Sequence, residues 1–308
     1  MIEMQYLVHQ IPFFSGKNYS IHSDMYRTDA YPACLMVQCG IHMYKVRFPG
    51  VLNKDSVQSE KAALKTLAEH GVVGIPYIVA EGVVDGVPYL IEDYIEGNSL
   101  DKIYNTLTCE DWEHIAHRLA LFLREMITIQ SAQPSVFKAP GNNYDNYGEV
   151  IKESTLRHLK RHTSSGIISS SAAFLIQEML EDIGSVFHAS ATFLHFDIKP
   201  QNIVFNAQSK RVSFIDYEHS RMGDYTHELF RIDMAVMRNP YFNNCWRLAK
   251  QEFLAGQSSY LMEEVYSQKL FYYELLYDIS EMTYSVLIGD RRQISVHLNR
   301  IEDKLRQF

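Results

Sequence analysis

The stretch that decides the fold is Phe193-Leu194-His195-Phe196-Asp197-Ile198-Lys199-Pro200-Gln201-Asn202-Ile203-Val204-Phe205, continued by Val212-Ser213-Phe214-Ile215-Asp216-Tyr217-Glu218. Two carboxylates and a carboxamide stand among apolar residues, where burying an unpaired charge costs several kcal/mol. Something must compensate them. The polar run from Asn206 to Lys210 predicts a hairpin joining Ile203–Phe205 to Val212–Ile215, in a register that sets Asn202 opposite Asp216. A carboxylate and an amide oxygen side by side are hard oxygen ligands, of the kind that hold Mg²⁺ on phosphates. Asp197 lies on the loop entering the hairpin and projects into the same space. An uncoordinated carboxylate there can orient and deprotonate an attacking hydroxyl.

This H-x-D-x-x-x-x-N with a following strand-end Asp resembles the protein-kinase-like fold, and most closely its aminoglycoside phosphotransferase and choline kinase branch. Ile215-Asp216-Tyr217-Glu218 and Gly223-Asp224 look like the family's metal-binding Asp and its later Gly-Asp element. The resemblance spans residues 20 to 235 and implies an α+β, two-lobed molecule: a small antiparallel sheet with one helix, then a larger, mainly helical lobe. It further implies Asp197 as base, Asn202 and Asp216 as Mg²⁺ ligands, His195 as a brace for the loop, and ATP as donor, with GTP not excluded.

Upstream residues support the same reading. Strand patterns run from Ile21 to Tyr26, Cys34 to Gln38 and His42 to Phe48, and a helix follows Asp55-Ser56 and stops near Gly71. In that helix Val57, Glu60, Leu64 and Leu67 share the face that packs on the sheet, so Glu60 needs a cation. Lys45, in the middle of the preceding strand, is the candidate. Such a pair resembles the kinase Lys–Glu pair that contacts the nucleotide's phosphates. Val72 to Ile95 returns to strand, broken at Asp85-Gly86, and the character turns helical after Glu96-Gly97. The expected lobes are therefore 1–96, nucleotide-binding, and 97–308, catalytic and acceptor-binding. Backbone groups of Glu92 to Ile95, Tyr94 among them, are expected to meet adenine. Thr108 and Asp111 form a capping-box pair ahead of a helix from Trp112 to Ile129; Gln133 to Tyr147 reads as loop and Ala172 to Phe187 as helix.

The pattern departs from protein kinases in three ways. Arg27 to Tyr31, the expected phosphate loop, contains no glycine; Asp216-Tyr217-Glu218 replaces D-F-G; and no A-P-E follows. Lys199-Pro200 points the other way, because a lysine two residues after the base is typical of Ser/Thr protein kinases. Glu228 stands where the phosphotransferases often have Asp. A protein kinase and a nonhydrolysing nucleotide-binding scaffold are the alternatives to a small-molecule kinase. The expected acceptor is a hydroxyl of a small cationic molecule such as an aminoglycoside, amino sugar or amino alcohol. Glu274, Asp278 and Glu281, beside Phe271 to Tyr273, Tyr277 and Tyr284, would suit such a cation, although acids on a solvated face and aromatics in the core explain the same pattern.

The composition bounds the rest. A chain of 308 residues with 46% hydrophobic residues supports a sizeable core. A net charge of −8 disfavours nonspecific nucleic-acid binding. Four cysteines without C-x-x-C spacing suggest neither zinc nor a disulfide framework. No apolar run reaches the length of a membrane span, and Met1 to Gln5 lacks the order of a signal peptide, so a cytoplasmic protein without membrane partners is expected.

Overall fold

The computed structural model describes residues 4–24, 33–50, 55–137, 144–187, 191–255 and 264–307. Its first part is an antiparallel sheet of β1 (Tyr19–Asp24), β2 (Ala33–Cys39), β3 (His42–Phe48), β4 (Ile78–Val84) and β5 (Val87–Asp93), in the order β1-β2-β3-β5-β4. The β4–β5 turn is made by Asp85 and Gly86, both left-handed (φ 48° and 78°), as a two-residue hairpin of matching twist requires. Helix α1 (Met4–Gln10) contributes Leu7 and Val8 to the core beneath the sheet, with Val37, Val46, Phe48 and Ile91. The sequence reading begins at the first strand and omits α1, whose two turns are too short to display a helical period. Helix α2 (Ser56–Glu69) buries Val57, Glu60, Leu64 and Leu67 as the spacing predicts.

A mainly helical part follows. Its helices are α3 (Leu100–Ile103), α4 (Cys109–Thr128), α5 (Tyr147–Ser164), α6 (Ser170–Met179), α7 (Tyr225–Arg238), α8 (Asn243–Ala255), α9 (Glu264–Ile288) and α10 (Arg291–Gln307). The capping box at Thr108 and Asp111 is present, each residue accepting the other's backbone N–H. Helix α5 is absent from the sequence reading. Its buried side chains, Val150, Ile151, Thr155, Leu159 and His162, include only three aliphatic ones, too sparse a stripe to announce a helix. Helix α6 ends earlier than expected, and a 3₁₀ turn at Ile183–Val186 completes the predicted stretch.

Two small sheets complete the lobe: β6 (Asn98–Ser99) with β10 (Ile203–Asn206) and β11 (Arg211–Phe214), and β7 (Gln130–Ser131) with β8 (Ser135–Val136), β9 (Ala191–Leu194) and β12 (Arg221–Gly223). The β10–β11 hairpin forms, but one residue out of the expected register. Ile203 pairs with Phe214 and Asn206 with Arg211, and the Ile215 N–H donates to Asn202 O at 3.0 Å. Asn202 therefore faces Ile215, and Asp216 lies one position beyond. The cause is the turn, where Asn206 Oδ1 accepts from the N–H groups of Gln208 and Ser209 and Lys210 adopts φ 56°.

Two connections tie the sheet to this hairpin. Ser99 and Asn98 pair with Val204 and Phe205, and Gly97, at φ 132°, lies so close that a Cβ there would sit 2.7 Å from Phe205 O. The loop after α2 docks likewise, with the Phe214 N–H donating to Gly74 O at 2.8 Å.

Candidate active site

The catalytic-loop candidate starts where β9 ends. His195 is fully buried; its Nε2–H donates to Ile215 O at 3.1 Å, and its Nδ1 accepts the Asp197 N–H at 3.3 Å. Those two bonds require the neutral ring, and burial depresses its pKa accordingly. Phe196 is left-handed, φ 69°, a costly conformation for a bulky residue. Its N–H is held at 2.7 Å by Glu228 Oε2, and the Arg221 guanidinium lies 3.6 Å over its ring. The Asp197 carboxylate uses its two oxygens differently. Oδ2 accepts from Asn202 Nδ2 (2.9 Å) and Lys199 Nζ (2.7 Å), while Oδ1 lies 3.9 Å from Arg231. Asn202 Nδ2 also donates to Asp197 O, so its amide nitrogen is fully committed and its oxygen is the atom left for a cation.

Asp216 sits at φ 73° with its side chain 32% exposed. Arg47 donates to its Oδ1 at 3.0 Å; although burial opposes ionisation, Arg47, with Lys45 behind it, holds the carboxyl far below the usual range. Arg47 also reaches Glu218 at 2.9 Å and Glu60 at 2.5 Å. Lys45 lies 3.1 Å from Glu92 and 3.8 Å from Glu60. The expected Lys45–Glu60 pairing is therefore present as the looser arm of a network, because Arg47, which the sequence reading passed over, takes Glu60 first. Lys45 and Arg47 are two apart on β3 and so share a face, which is the signal that could have found the second. Burial pushes Glu60 up to about 8, with Glu92 and Asp216 adding to the effect.

Around these two fixed cations stand four carboxylates, Glu60, Glu92, Asp216 and Glu218. The acid surplus, the ionised Asp216 and the uncommitted Asn202 oxygen suit a hard divalent cation completed by phosphate and water oxygens. Among the described residues no group of three His, Cys, Asp or Glu could hold a metal by itself.

Glu92 itself is buried as Lys45's partner, a role not expected of its side chain. The Tyr94 N–H donates to Met43 O at 3.1 Å, which removes that amide from the set expected to meet adenine. Ile95 is buried beside it. The expected phosphate loop, Arg27 to Tyr31, lies outside the described residues. The acidic stripe is neutralised from within: Asp278 meets His297 (2.9 Å), Lys304 (3.4 Å) and Arg300 (3.5 Å), Glu274 meets Lys304 (3.2 Å), and Glu281 meets Arg238 (2.7 Å).

Glu228 gives a pH prediction. Burial raises its pKa from 4.5 to about 7 despite the Phe196 N–H. A carboxyl raised in the folded state binds protons more tightly there than in the unfolded chain, so its contribution to stability falls as pH rises from about 4.5 to 7. Glu228→Gln, which keeps an acceptor for Phe196, should become more stable than wild type across that window, by up to about 3 kcal/mol at pH 8. Urea unfolding at pH 5 and pH 8 measures it; an unchanged difference between the two would remove the buried charge from Glu228.

A strand-borne lysine backed by buried acids, a loop carrying Asp197 and Asn202 and a hairpin followed by a second Asp, between a five-stranded sheet and a helical lobe, define the protein-kinase-like class. Within it, residues 43–257 match the model of the phosphotransferase enzyme family, APH, and the chain belongs to that family. A protein described as a fructosamine-3-kinase from Haemophilus somnus 129PT superposes with a TM-score of 0.69 at 15% identity, covering 98% of this chain and 96% of that one. APH(2'')-IIa in ternary complex with streptomycin and ATP gives 0.66 at 16%, covering 98% and 97%. A thermostable mutant of aminoglycoside phosphotransferase APH(4)-Ia, in complex with ADP and hygromycin B, gives 0.63 at 13%, covering 94% and 93%. At these identities the likeness is one of fold. No curated protein matches the chain. Among the described residues no helix is long and apolar enough to cross a membrane.

Proposed function

We propose that this protein transfers the γ-phosphoryl group of ATP to a hydroxyl of a small molecule, with residues 1–96 as the nucleotide-binding lobe and 97–308 as the catalytic and acceptor-binding lobe. The observation that carries the reading is the convergence of Asp197, Asn202 and Asp216 at the mouth of one hairpin, facing Lys45 and Arg47 of β3. In this reading Asp197 Oδ1 orients the acceptor hydroxyl and takes its proton as the new O–P bond forms and the bridging O–P bond of ATP breaks, releasing ADP. Lys45, steadied by Glu92 and Glu60, holds the nucleotide's phosphates. Asn202 and Asp216 would hold Mg²⁺, which when bound neutralises charge on the phosphate oxygens. Backbone groups of Ile95 would meet adenine, since Glu92, expected to share that role, pairs with Lys45 and Ile78 within the sheet. The complexes of similar structures hold ATP, ADP and GDP, so ATP is proposed with GTP as the alternative donor. Each acid of the Glu274–Asp278–Glu281 stripe has a basic partner, so this stripe is not proposed as the seat of the cationic acceptor expected from the sequence.

The test is incubation of the full chain with labelled ATP against panels of hydroxylated small molecules and of proteins. Label transferred to proteins alone would replace this reading with a protein kinase. Nucleotide affinity and turnover should collapse in excess chelator and return with Mg²⁺ or Mn²⁺; full activity without a divalent ion would contradict the roles of Asn202 and Asp216.

A further inference from the structure

Two guanidiniums stand on the wall beside Asp197, and neither has a hydrogen-bonded carboxylate among the described residues. Arg231, on α7, has Asp197 Oδ1 as its one carboxylate within 4 Å among the described residues, and at 3.9 Å that is beyond hydrogen-bond reach. Its guanidinium rests against the rings of Phe196 (5.2 Å) and Tyr277 (5.8 Å). Arg221, on β12, covers the same Phe196 ring at 3.6 Å and forms no salt bridge among the described residues; it donates to His219 O at 3.4 Å and bonds Tyr147. Two guanidiniums thus flank one aromatic ring. Burial lowers the pKa of Arg221, and the like charge of Arg231 adds to it. Burial raises the pKa of the neighbouring Glu228 to about 7. On a chain of net charge −8 this is a local reversal of sign, at the residue expected to receive the acceptor.

The nucleotide's own phosphates have a different place. Asn202 and Lys199 gather at Asp197 Oδ2, the edge that leads toward the metal ligands, whereas Arg231 approaches Oδ1, the other edge. A guanidinium with unused donors in a fork recognises a carboxylate or phosphate bidentately.

We infer that the acceptor carries an anionic group, a carboxylate or a phosphate monoester, which docks on Arg231 and Arg221 over the Phe196 ring while its hydroxyl meets Asp197. This rests on the phosphotransferase reading and names the substrate class of the same site. It also reverses the charge expected from the sequence.

The test uses the full chain with MgATP and four probes on each of two skeletons: glycerate, glycerol 3-phosphate, glycerol and 3-aminopropane-1,2-diol; and gluconate, glucose 6-phosphate, glucose and glucosamine. Phosphorylation of each probe and thermal stabilisation with MgADP present are both read. The expected result is a preference of about tenfold or more in kcat/KM, or a matching shift in melting temperature, for the anionic members, with the acid and phosphate arms separating the two sources. Arg231→Gln should erase the preference by raising KM for the anion, and Arg231→Lys should restore part of it. Preference for the amines, equal response to all four classes in both readouts, or an Arg231→Gln effect confined to KM for ATP would overturn the inference while leaving the phosphotransferase reading intact. Failure of the wild-type chain to bind MgATP at all would instead remove that reading, and the inference with it.

Discussion

Asp197→Asn should lower turnover by about 10²-fold or more while leaving Mg-nucleotide affinity close to that of the wild type. The substitution keeps the shape of the side chain and an oxygen for Asn202 Nδ2 and Lys199 Nζ, which now donate to Oδ2 at 2.9 and 2.7 Å. It removes the charge that can take a proton. Because the proposed metal ligands are elsewhere, on Asn202 and Asp216, nucleotide binding has little reason to change. Turnover at saturating acceptor, with calorimetric titration of the nucleotide, separates the two quantities. Near-normal turnover would remove Asp197 from the chemistry, and lost affinity would recast it as a metal ligand.

The second large effect belongs to Lys45. Lys45→Ala should reduce kcat/KM for ATP by about 10²-fold, since a preorganised charge on the phosphates is lost from a water-poor site. Glu60→Ala should impair both activity and folding, because it leaves Arg47 and Lys45 without their shared acid, and breaking a buried ion pair costs about 3–5 kcal/mol. Melting curves must therefore accompany the kinetics, with Glu60→Gln as the better-folded variant. Effects on kcat/KM should be strongly non-additive in the Lys45/Glu60 double mutant if the two act as one unit. Simple additivity in folded proteins would assign the support of Lys45 to Glu92, its closer partner at 3.1 Å.

Local signals carried the chain-level reading far. The catalytic loop, the hairpin, the α2 face bearing Glu60 and the Thr108 capping box all follow from spacings within a few residues, where periodicity and turn chemistry act directly. What escaped depends on distance in the chain. Arg47 meets Asp216 and Glu218 across 169 and 171 positions, and no local pattern announces a partner so remote. The same holds for Arg231, which looks like an ordinary charge on an amphipathic helix until Phe196 and Tyr277 are seen around it. The hairpin register failed for a smaller reason: Asn206 draws the backbone into an Asx turn, and that single choice shifts every pair by one. Pairing of the acidic stripe was likewise invisible, since its partners arrive from α7 and α10.

Strand β10 runs directly on from Asn202, and its Val204 and Phe205 pair with Ser99 and Asn98 of the segment that leaves the sheet. One short strand is thus the ruler between the two ends of the proposed nucleotide site: the segment proposed to seat the base leads into Asn98, and the proposed metal ligand Asn202 immediately precedes the strand. Any movement of the sheet against the helices would carry Lys45 but leave the spacing along that ruler fixed. Opening would then release the phosphates while the base keeps its seat, and a spent nucleotide would leave tail first.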